Sequence, residues 1–330
     1  MRIGIFVQHY FPYGGLQRDS VRLARSAMAA GHEATLVVAT LEERPPADCD
    51  VLTLASGGVS NHAKLRRFAR ACQQLDQVDT TVAFSRVAGA NFHFCGDPCF
   101  REKFELSKPS WARLLPRYRF FLNNERDLFG PSSSTHVFFL AESVLPPFLS
   151  YYGMPEDRYT VLPPWLTAPT PIPDARASVC RELEIDPASR ILLFVGSDFH
   201  RKGLDRAIRS LELLPDSHLV VCGQDNPEAA RKLAAHLQVA PRLHLLGPRD
   251  DVPRMMNASD VLLHPARQET AGMVLIEALS YGLPVLCTTL CGYSSHVAAA
   301  GCPLLTDSTT PEEIARGVRD IRTRKDALVA

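Results

Sequence analysis

No GxGxxG turn, no CxxC pair and no net charge occur in these 330 residues, and each absence removes a class of function. Lys and Arg number 36 and Asp and Glu 36, so no global field draws the chain to nucleic acid, and any basic surface is local. Without the dinucleotide fingerprint after the first strand, a nicotinamide enzyme is disfavoured. The nine cysteines (49, 72, 95, 99, 180, 222, 287, 291 and 302) are odd in number and scattered, which argues for reduced, buried thiols in a cytoplasmic protein rather than a disulfide framework. Cys95 and Cys99 with His93 lack the second ligand pair of a zinc site, so no metal and no cofactor are expected. The start, MRIGIFVQHYFPYGG, carries only a short apolar run ending in turn residues, which reads as a first strand and not a signal peptide. Residues 278–306 hold no Asp, Glu, Lys or Arg, and a membrane span needs ~20 apolar residues. Yet Gly282, Pro284, Gly292, Gly301 and Pro303 cut the stretch into pieces that suit buried strands and a helix.

What is present is an alternation of strand and helix. IGIFV (3–7) reads as a strand, QHYFPYGG as a loop, QRDSVRLARSAMAA as an amphipathic helix and ATLVVAT as the next strand, a βαβ unit that implies a parallel sheet. Residues 95–160 read as mostly helical, with strands at VFFLA and YTVLP. Five prolines among residues 163–175 mark a linker. After it the alternation restarts with RILLFVG, HLVVCG, RLHLLG, DVLLHP and PVLCTT as strands, and a last helix from PEEIARGVRDI. The expected fold class is α/β: two Rossmann-like, doubly wound domains, residues 1–163 and 176–330, facing across a cleft and joined by a linker at 164–175.

Three places carry charge or glycine where such a fold binds ligands. Gly14 and Gly15 stand where the first helix begins, and bare backbone N–H groups there favour an anion. In GSDFHRKG, Arg201 and Lys202 sit at the mouth of a strand, two cations suited to a diphosphate that must leave. In ARQETAGMVLIEALSYG, the helix should begin near Ala271 or Gly272, with Glu269 in the loop before it and Glu277 more than one turn inside. The first N–H groups of that helix form an anion site. A carboxylate on either side of it repels phosphate but accepts strongly from neutral hydroxyls, the arrangement a sugar–diphosphate–ribose ligand needs.

E-x₇-E with an internal glycine, a basic pair ending in KG and a Gly-Gly first loop resemble the retaining glycosyltransferases of family four, of fold type GT-B. YFPYGGLQRD, VGSDFHRKG, LLHPARQETAGMVLIEA and GLPVLCTTLCGY are more similar still to the lipopolysaccharide-core glucosyltransferases within that family, over residues 1 to about 305. The resemblance implies that Gly14 and Gly15 lie against the β-phosphate and that Arg201 and Lys202 neutralise the diphosphate as UDP departs. It implies that Glu269 holds hydroxyls of the donor sugar, that Ala271, Gly272, Met273 and Val274 serve sugar and phosphates through their backbone, and that Glu277 binds the ribose. Gly247 to Arg249 would border the base, and Asp19 and Asp97 would touch donor or acceptor hydroxyls. Relatives carry a glycine after the hinge prolines and a charged residue nearby, where Trp165 follows Pro163 and Pro164 here, so one contact near the diphosphate is not expected to form in the same way. Relatives also continue past the last helix with elements that cross back, so the expectation is either a truncated chain or an altered clamp between domains.

Residues 100–130 place Arg101, Lys103, Lys108, Arg113, Arg117, Arg119 and Arg126 among Trp111, Tyr118, Phe120 and Phe121, a mix that can lie on an anionic inner leaflet. No nucleic-acid motif accompanies it. The expectation is a metal-independent glycosyltransferase, cytoplasmic and peripheral on the inner membrane. It would move glucose from UDP-glucose to a heptose of the lipopolysaccharide inner core with retention. The alternatives are another hexose or acceptor, a non-catalytic nucleotide-sugar or glycolipid binder, or a sugar-nucleotide epimerase.

Overall fold

Ile5, Phe6 and Val7 are buried at consecutive positions of the first strand, which requires cover on both faces of its sheet. The computed structural model describes residues 1–12, 14–54, 57–166 and 168–329. Tyr13 in the first loop and Thr167 in the proline-rich stretch lie outside the described residues. The chain divides into two units, Met1–Pro163 and Pro164–Ala330.

The first unit runs β1 (Arg2–Tyr10), α1 (Gly15–Ala29), β2 (Glu33–Leu41), β3 (Asp50–Thr53), α2 (Asn61–Gln73), β4 (Thr80–Ala83) and β5 (Phe92–Cys95). It continues with α3 (Phe100–Ser107), α4 (Pro116–Phe129), β6 (His136–Phe139), α5 (Leu145–Tyr152) and β7 (Tyr159–Val161). Its sheet has the order β3-β2-β1-β4-β5-β6-β7 among the described residues. Ile5 and Val7 pack with Val21, Ala24 and Ala27 of α1, while Phe6, between them, faces Phe68 and Cys72 of α2. The period of two along the strand thus meets one apolar helix stripe on each side. The first strand is longer than expected: Gln8, His9 and Tyr10 belong to it and not to the loop, with His9 opposite Thr40 and Tyr10 opposite Leu41.

The second unit runs α6 (Ala175–Glu182), β8 (Arg190–Val195), α7 (Phe199–Lys202), α8 (Leu204–Ser210), β9 (Ser217–Cys222), α9 (Glu228–His236) and β10 (Leu243–Gly247). Then follow α10 (Val252–Ala258), β11 (Val261–His264), α11 (Met273–Ser280), β12 (Val285–Thr288), α12 (Ser294–Ala299), β13 (Leu304–Leu305) and α13 (Pro311–Val329). Its sheet order is β10-β9-β8-β11-β12-β13 among the described residues. Ile191, Leu192, Leu193 and Phe194 are wholly buried, as the unbroken apolar run required. The uncharged stretch 278–306 resolves into the end of α11, two short strands and α12. No helix among the described residues is long and apolar enough to cross a membrane. All nine cysteines are free; eight are buried and Cys302 is half-buried. Burial pushes the thiols of Cys72, Cys99 and Cys222 up to about 12.

Every strand pairing among the described residues is parallel. In each sheet the strand order reverses beside the first strand of its unit, between β1 and β4 and between β8 and β11. Those are the two points where such sheets open a crevice beyond their carboxyl ends.

One buried carboxylate organises the helical part of the first unit. Glu125 of α4 is fully buried, and it accepts from the backbone N–H groups of Phe100 (2.7 Å) and Arg101 (2.9 Å), where α3 begins. It also accepts from the Tyr152 hydroxyl (2.6 Å) and meets Arg86 Nη1 at 2.9 Å. Arg86 in turn donates to the carbonyl of Pro98 at 2.6 Å, which fixes the turn between β5 and α3. Removing the carboxylate strands a buried guanidinium and two helix N–H groups. Glu125→Ala is therefore expected to lower unfolding free energy by about 3–5 kcal/mol, read as a shift in urea midpoint; a loss below about 1 kcal/mol would contradict this role.

Candidate active site

The turn after β8 is built from positive φ angles: Gly196 at 137°, Asp198 at 59° and Gly203 at 81°. It bends the chain through the four-residue helix α7, so that Arg201 and Lys202 follow the strand end within one turn. A Cβ on Gly196 would lie 2.6 Å from the Lys202 side chain, so the lysine stem rests directly on that glycine. A Cβ on Gly203 would overlap the carbonyl oxygen of Pro265. The α7 turn and the β11–α11 loop therefore touch backbone to backbone.

Hydrogen bonds stitch the same two loops. The Arg267 backbone N–H donates to the Arg201 carbonyl at 2.7 Å, and Arg201 Nη1 donates to the Gln268 carbonyl at 2.9 Å. The Arg267 guanidinium spans the Asp205 carboxylate at 2.7 and 2.8 Å and donates to the His200 carbonyl. From behind, Gly292 N–H donates to the Glu269 carbonyl at 3.0 Å and Tyr293 N–H to that of Ala271 at 2.9 Å. A Cβ on Gly292 would overlap the Thr270 carbonyl. Backbone contacts on two sides thus fix Glu269.

This places Glu269 among cations. Its Oε2 lies 3.0 Å from Lys202 Nζ, 3.5 Å from Arg201 Nη1 and 3.3 Å from His264 Nε2. Burial pushes the Glu269 carboxyl up, but the His264 hydrogen bond and the charges of Lys202 and Arg201 outweigh it and hold the group well below the usual carboxylate range. The ionised form of Glu269 is therefore favoured. Arg201 Nε is taken by Asp198 at 2.8 Å.

Gly272, at φ 87°, caps α11, and Met273 and Val274 form the first turn, whose N–H groups have no partner within a helix. Glu277 is the fifth residue of that helix and is half-buried. Arg201, Lys202, Glu269, Ala271, Gly272, Met273 and Val274 therefore converge where the strand order reverses between β8 and β11. Gly247, at φ 73°, ends β10. The Arg249 guanidinium is held by Asp251 (2.6 and 2.8 Å) and Glu182 (2.9 Å), a network shared with Arg254.

In the first unit, Gly14 is the residue before α1, where an added Cβ would overlap the Gln17 side chain, and Gly15 is open. Gly96, next to Asp97, packs on Leu16 of α1's first turn. Asp97 is exposed, 3.9 Å from Arg86 Nε. Asp19 lines a cavity of about 290 Å³ with Leu23, Val82, Phe84, Phe94 and Phe138. Burial raises its carboxyl, which Arg22 and Arg18 offset only in part.

A family model described as glycosyl transferases group 1 matches residues 178–327, the stretch that holds the cations and the helix start. The lipopolysaccharide glucosyltransferase WaaG of Escherichia coli K12 is 34% identical over 343 residues, covering all of this chain and 92% of that protein. The chain is a WaaG-like group 1 glycosyltransferase. The crystal structure of WaaG superposes with a TM-score of 0.89 at 33% identity, covering 97% of this chain and 90% of that one. Anabaena HepE in complex with UDP and glucose, at 16% identity and a TM-score of 0.75, shares the fold over 97% of this chain and 89% of that one. Both sheets and their helices are those of the GT-B fold.

One member of this glycosyltransferase site was not anticipated. His264, read only as part of the strand DVLLHP, is fully buried at the end of β11 and reaches Glu269. A polar ring closing an apolar strand, five residues before the loop glutamate, is the signal that could have singled it out.

The Gly203–Pro265 contact yields a test. Gly203→Ala forces a side chain into a positive φ and against a carbonyl, at a cost of about 1–3 kcal/mol. Thermal unfolding should fall and kcat/KM should drop at least about tenfold, because Lys202 and Glu269 move apart. Native melting and native turnover together would refute the contact.

Proposed function

We propose that the chain transfers glucose from UDP-glucose to a heptose of the lipopolysaccharide inner core, with retention at the anomeric carbon. The observation that carries this reading is the Arg201–Lys202–Glu269 cluster beside the start of α11. Full-length similarity to a lipopolysaccharide glucosyltransferase supports it. Lys202 Nζ spends one contact on Glu269, which leaves donors for a diphosphate. Both cations and the first-turn N–H groups of α11 stabilise negative charge that grows on the departing β-phosphate oxygen. As the bond from C1 to that oxygen breaks, the acceptor hydroxyl bonds C1 from the same face and its proton passes to the leaving phosphate. Glu269 accepts from donor-sugar hydroxyls, Glu277 from the ribose, and Asp97 and Asp19 serve acceptor or donor hydroxyls. The two cations supply the charge compensation that makes a metal unnecessary in this scheme.

The acceptor is a lipid, and residues 100–130 supply a surface for its membrane. Leu106 (83% exposed), Trp111 (65%), Leu114 (82%) and Leu115 (42%) stand out beside Lys103, Lys108, Arg117 and Arg119. The other aromatics expected at this surface, Tyr118, Phe120 and Phe121, are half-buried and pack on neighbouring rings. Tyr118 packs on Phe100 and Phe104 (ring centroids 6.4 and 5.2 Å), and Phe121 on Phe100 (5.1 Å). Phe120 meets His62 and Phe121. We read the leucines, Trp111 and the exposed cations as a peripheral contact with an anionic cytoplasmic leaflet.

Incubation with UDP-glucose and heptose-terminated core lipid should release UDP, and Glu269→Ala or Lys202→Ala should slow it about 10²–10³-fold; binding of UDP-glucose without turnover would overturn the assignment as an enzyme. For the membrane contact, sedimentation with phosphatidylglycerol-containing vesicles is the measure. At about 1 kcal/mol per cation, the triple variant K108Q/R117Q/R119Q should bind about a hundredfold more weakly, and equal binding to uncharged vesicles would sink the electrostatic contact.

A further inference from the structure

The two oxygens of Glu269 are used unequally. Oε2 takes His264, Lys202 and Arg201, whereas Oε1 takes no hydrogen bond or ion pair among the described residues. Of the three partners, His264 alone is fully buried. Its ring is fully buried and stacked on Phe194, with centroids 6.2 Å apart, so it is held in plane by the core. Its Nδ1 is one of two buried side-chain atoms among the described residues with no hydrogen-bond partner.

That orphaned nitrogen fixes the protonation of the ring. A carboxylate only accepts, so the nitrogen facing Glu269 must carry the proton. A second proton on Nδ1 would leave a buried N–H without an acceptor, beside two existing cations. The ring is therefore neutral, with Nε2–H donating to Oε2 and Nδ1 bare. Burial, together with Lys202 and Arg201, favours the neutral ring. A phenylalanine would fill the same space without burying an unpartnered nitrogen. The strand end instead spends a polar ring on one hydrogen bond, and that bond ends on the carboxylate beside the cations.

We propose that His264 is a positioning residue of the donor site: its Nε2–H pins Oε2 of Glu269 and so presents Oε1 to the hydroxyls of the donor sugar. Without it, Lys202 and Arg201 could draw either oxygen, and the carboxylate could turn about its terminal torsion. The inference rests on the reading of Glu269 as the sugar-binding carboxylate.

The test compares affinity for UDP-glucose with affinity for UDP, by calorimetry, and initial rates over a range of donor concentration. His264→Phe should weaken UDP-glucose relative to UDP by about tenfold and lower kcat/KM by at least as much. His264→Gln places an amide N–H near the Nε2 position and should recover to within about threefold of wild type, while His264→Asn, whose amide falls on the Nδ1 side, should not. In a Glu269→Ala background, His264→Phe should cost nothing further. An unchanged UDP-glucose to UDP ratio in His264→Phe overturns the proposal, as does an equal loss in the Glu269→Ala background. If His264→Phe does not fold, the Gln and Asn variants decide: equal behaviour overturns the role, rescue by Gln alone supports it. A full-rate Glu269→Ala enzyme overturns the reading of Glu269 itself, whereas a slow Glu269→Ala enzyme with a full-rate His264→Phe enzyme overturns only the role of His264.

Discussion

The meeting of Glu269 with Lys202, at 3.0 Å and with both side chains mostly withdrawn from water, is the interaction on which the second unit's site depends. Two charges taken out of water pay a desolvation penalty that attraction alone repays only when geometry is tight and other lone pairs are served. Here the geometry is imposed by backbone. Gly203 against Pro265, Arg267 on the Arg201 carbonyl and Gly292 behind Thr270 leave the two loops little freedom to separate. The charges are therefore in place before any substrate arrives, and little reorganisation is left for the reaction itself. The position follows from topology, since β8 and β11 are neighbours from which the chain departs in opposite directions, and the gap between their loops is where polar groups can gather.

The first unit repeats the architectural rule with different chemistry. Its reversal between β1 and β4 opens beside Gly14, Gly15 and the turn that bears Asp97. The buried ion pair of this unit, Arg86 with Glu125 at 2.9 Å, lies behind that turn, with Arg86 Nε 3.9 Å from Asp97. The order of the region comes from Glu125, a carboxylate on α4 that serves as N-terminal partner for α3 and as counter-ion for Arg86. The same residue that shapes the turn carrying Asp97 thus also sets the packing of the helices that carry the exposed leucines and Trp111.

Elements with one strong period were legible. RILLFVG and HLVVCG could only be strands covered on both sides, and the start of α11 followed from a glycine preceding an apolar run. The neighbourhood of Arg201, Lys202 and Glu269 could be read because each follows a strand end in a parallel sheet. Contacts that depend on side-chain direction could not. Tyr118 and Phe121, three apart on α4, face Phe100 and Phe104, four apart on α3, and only that pairing of stripes reveals their half-buried packing. The Arg249–Glu182 contact could not be read either, because the two lie 67 residues apart in sequence. His264 stayed hidden for the opposite reason: within an apolar strand, a histidine that serves a carboxylate looks like one that merely fills space.

The distribution of sulfur has a practical side. Eight thiols lie inside the two cores and only Cys302 is partly reachable. A thiol reacts through its thiolate, which burial suppresses at Cys72, Cys99 and Cys222. A cysteine engineered at an open position such as 111 or 114 would therefore outcompete nearly all of the native ones for a maleimide. The unaltered sequence is already a quiet background for attaching a fluorophore or spin label to the segment that carries Trp111 and Leu114, with Cys302 the one position to silence.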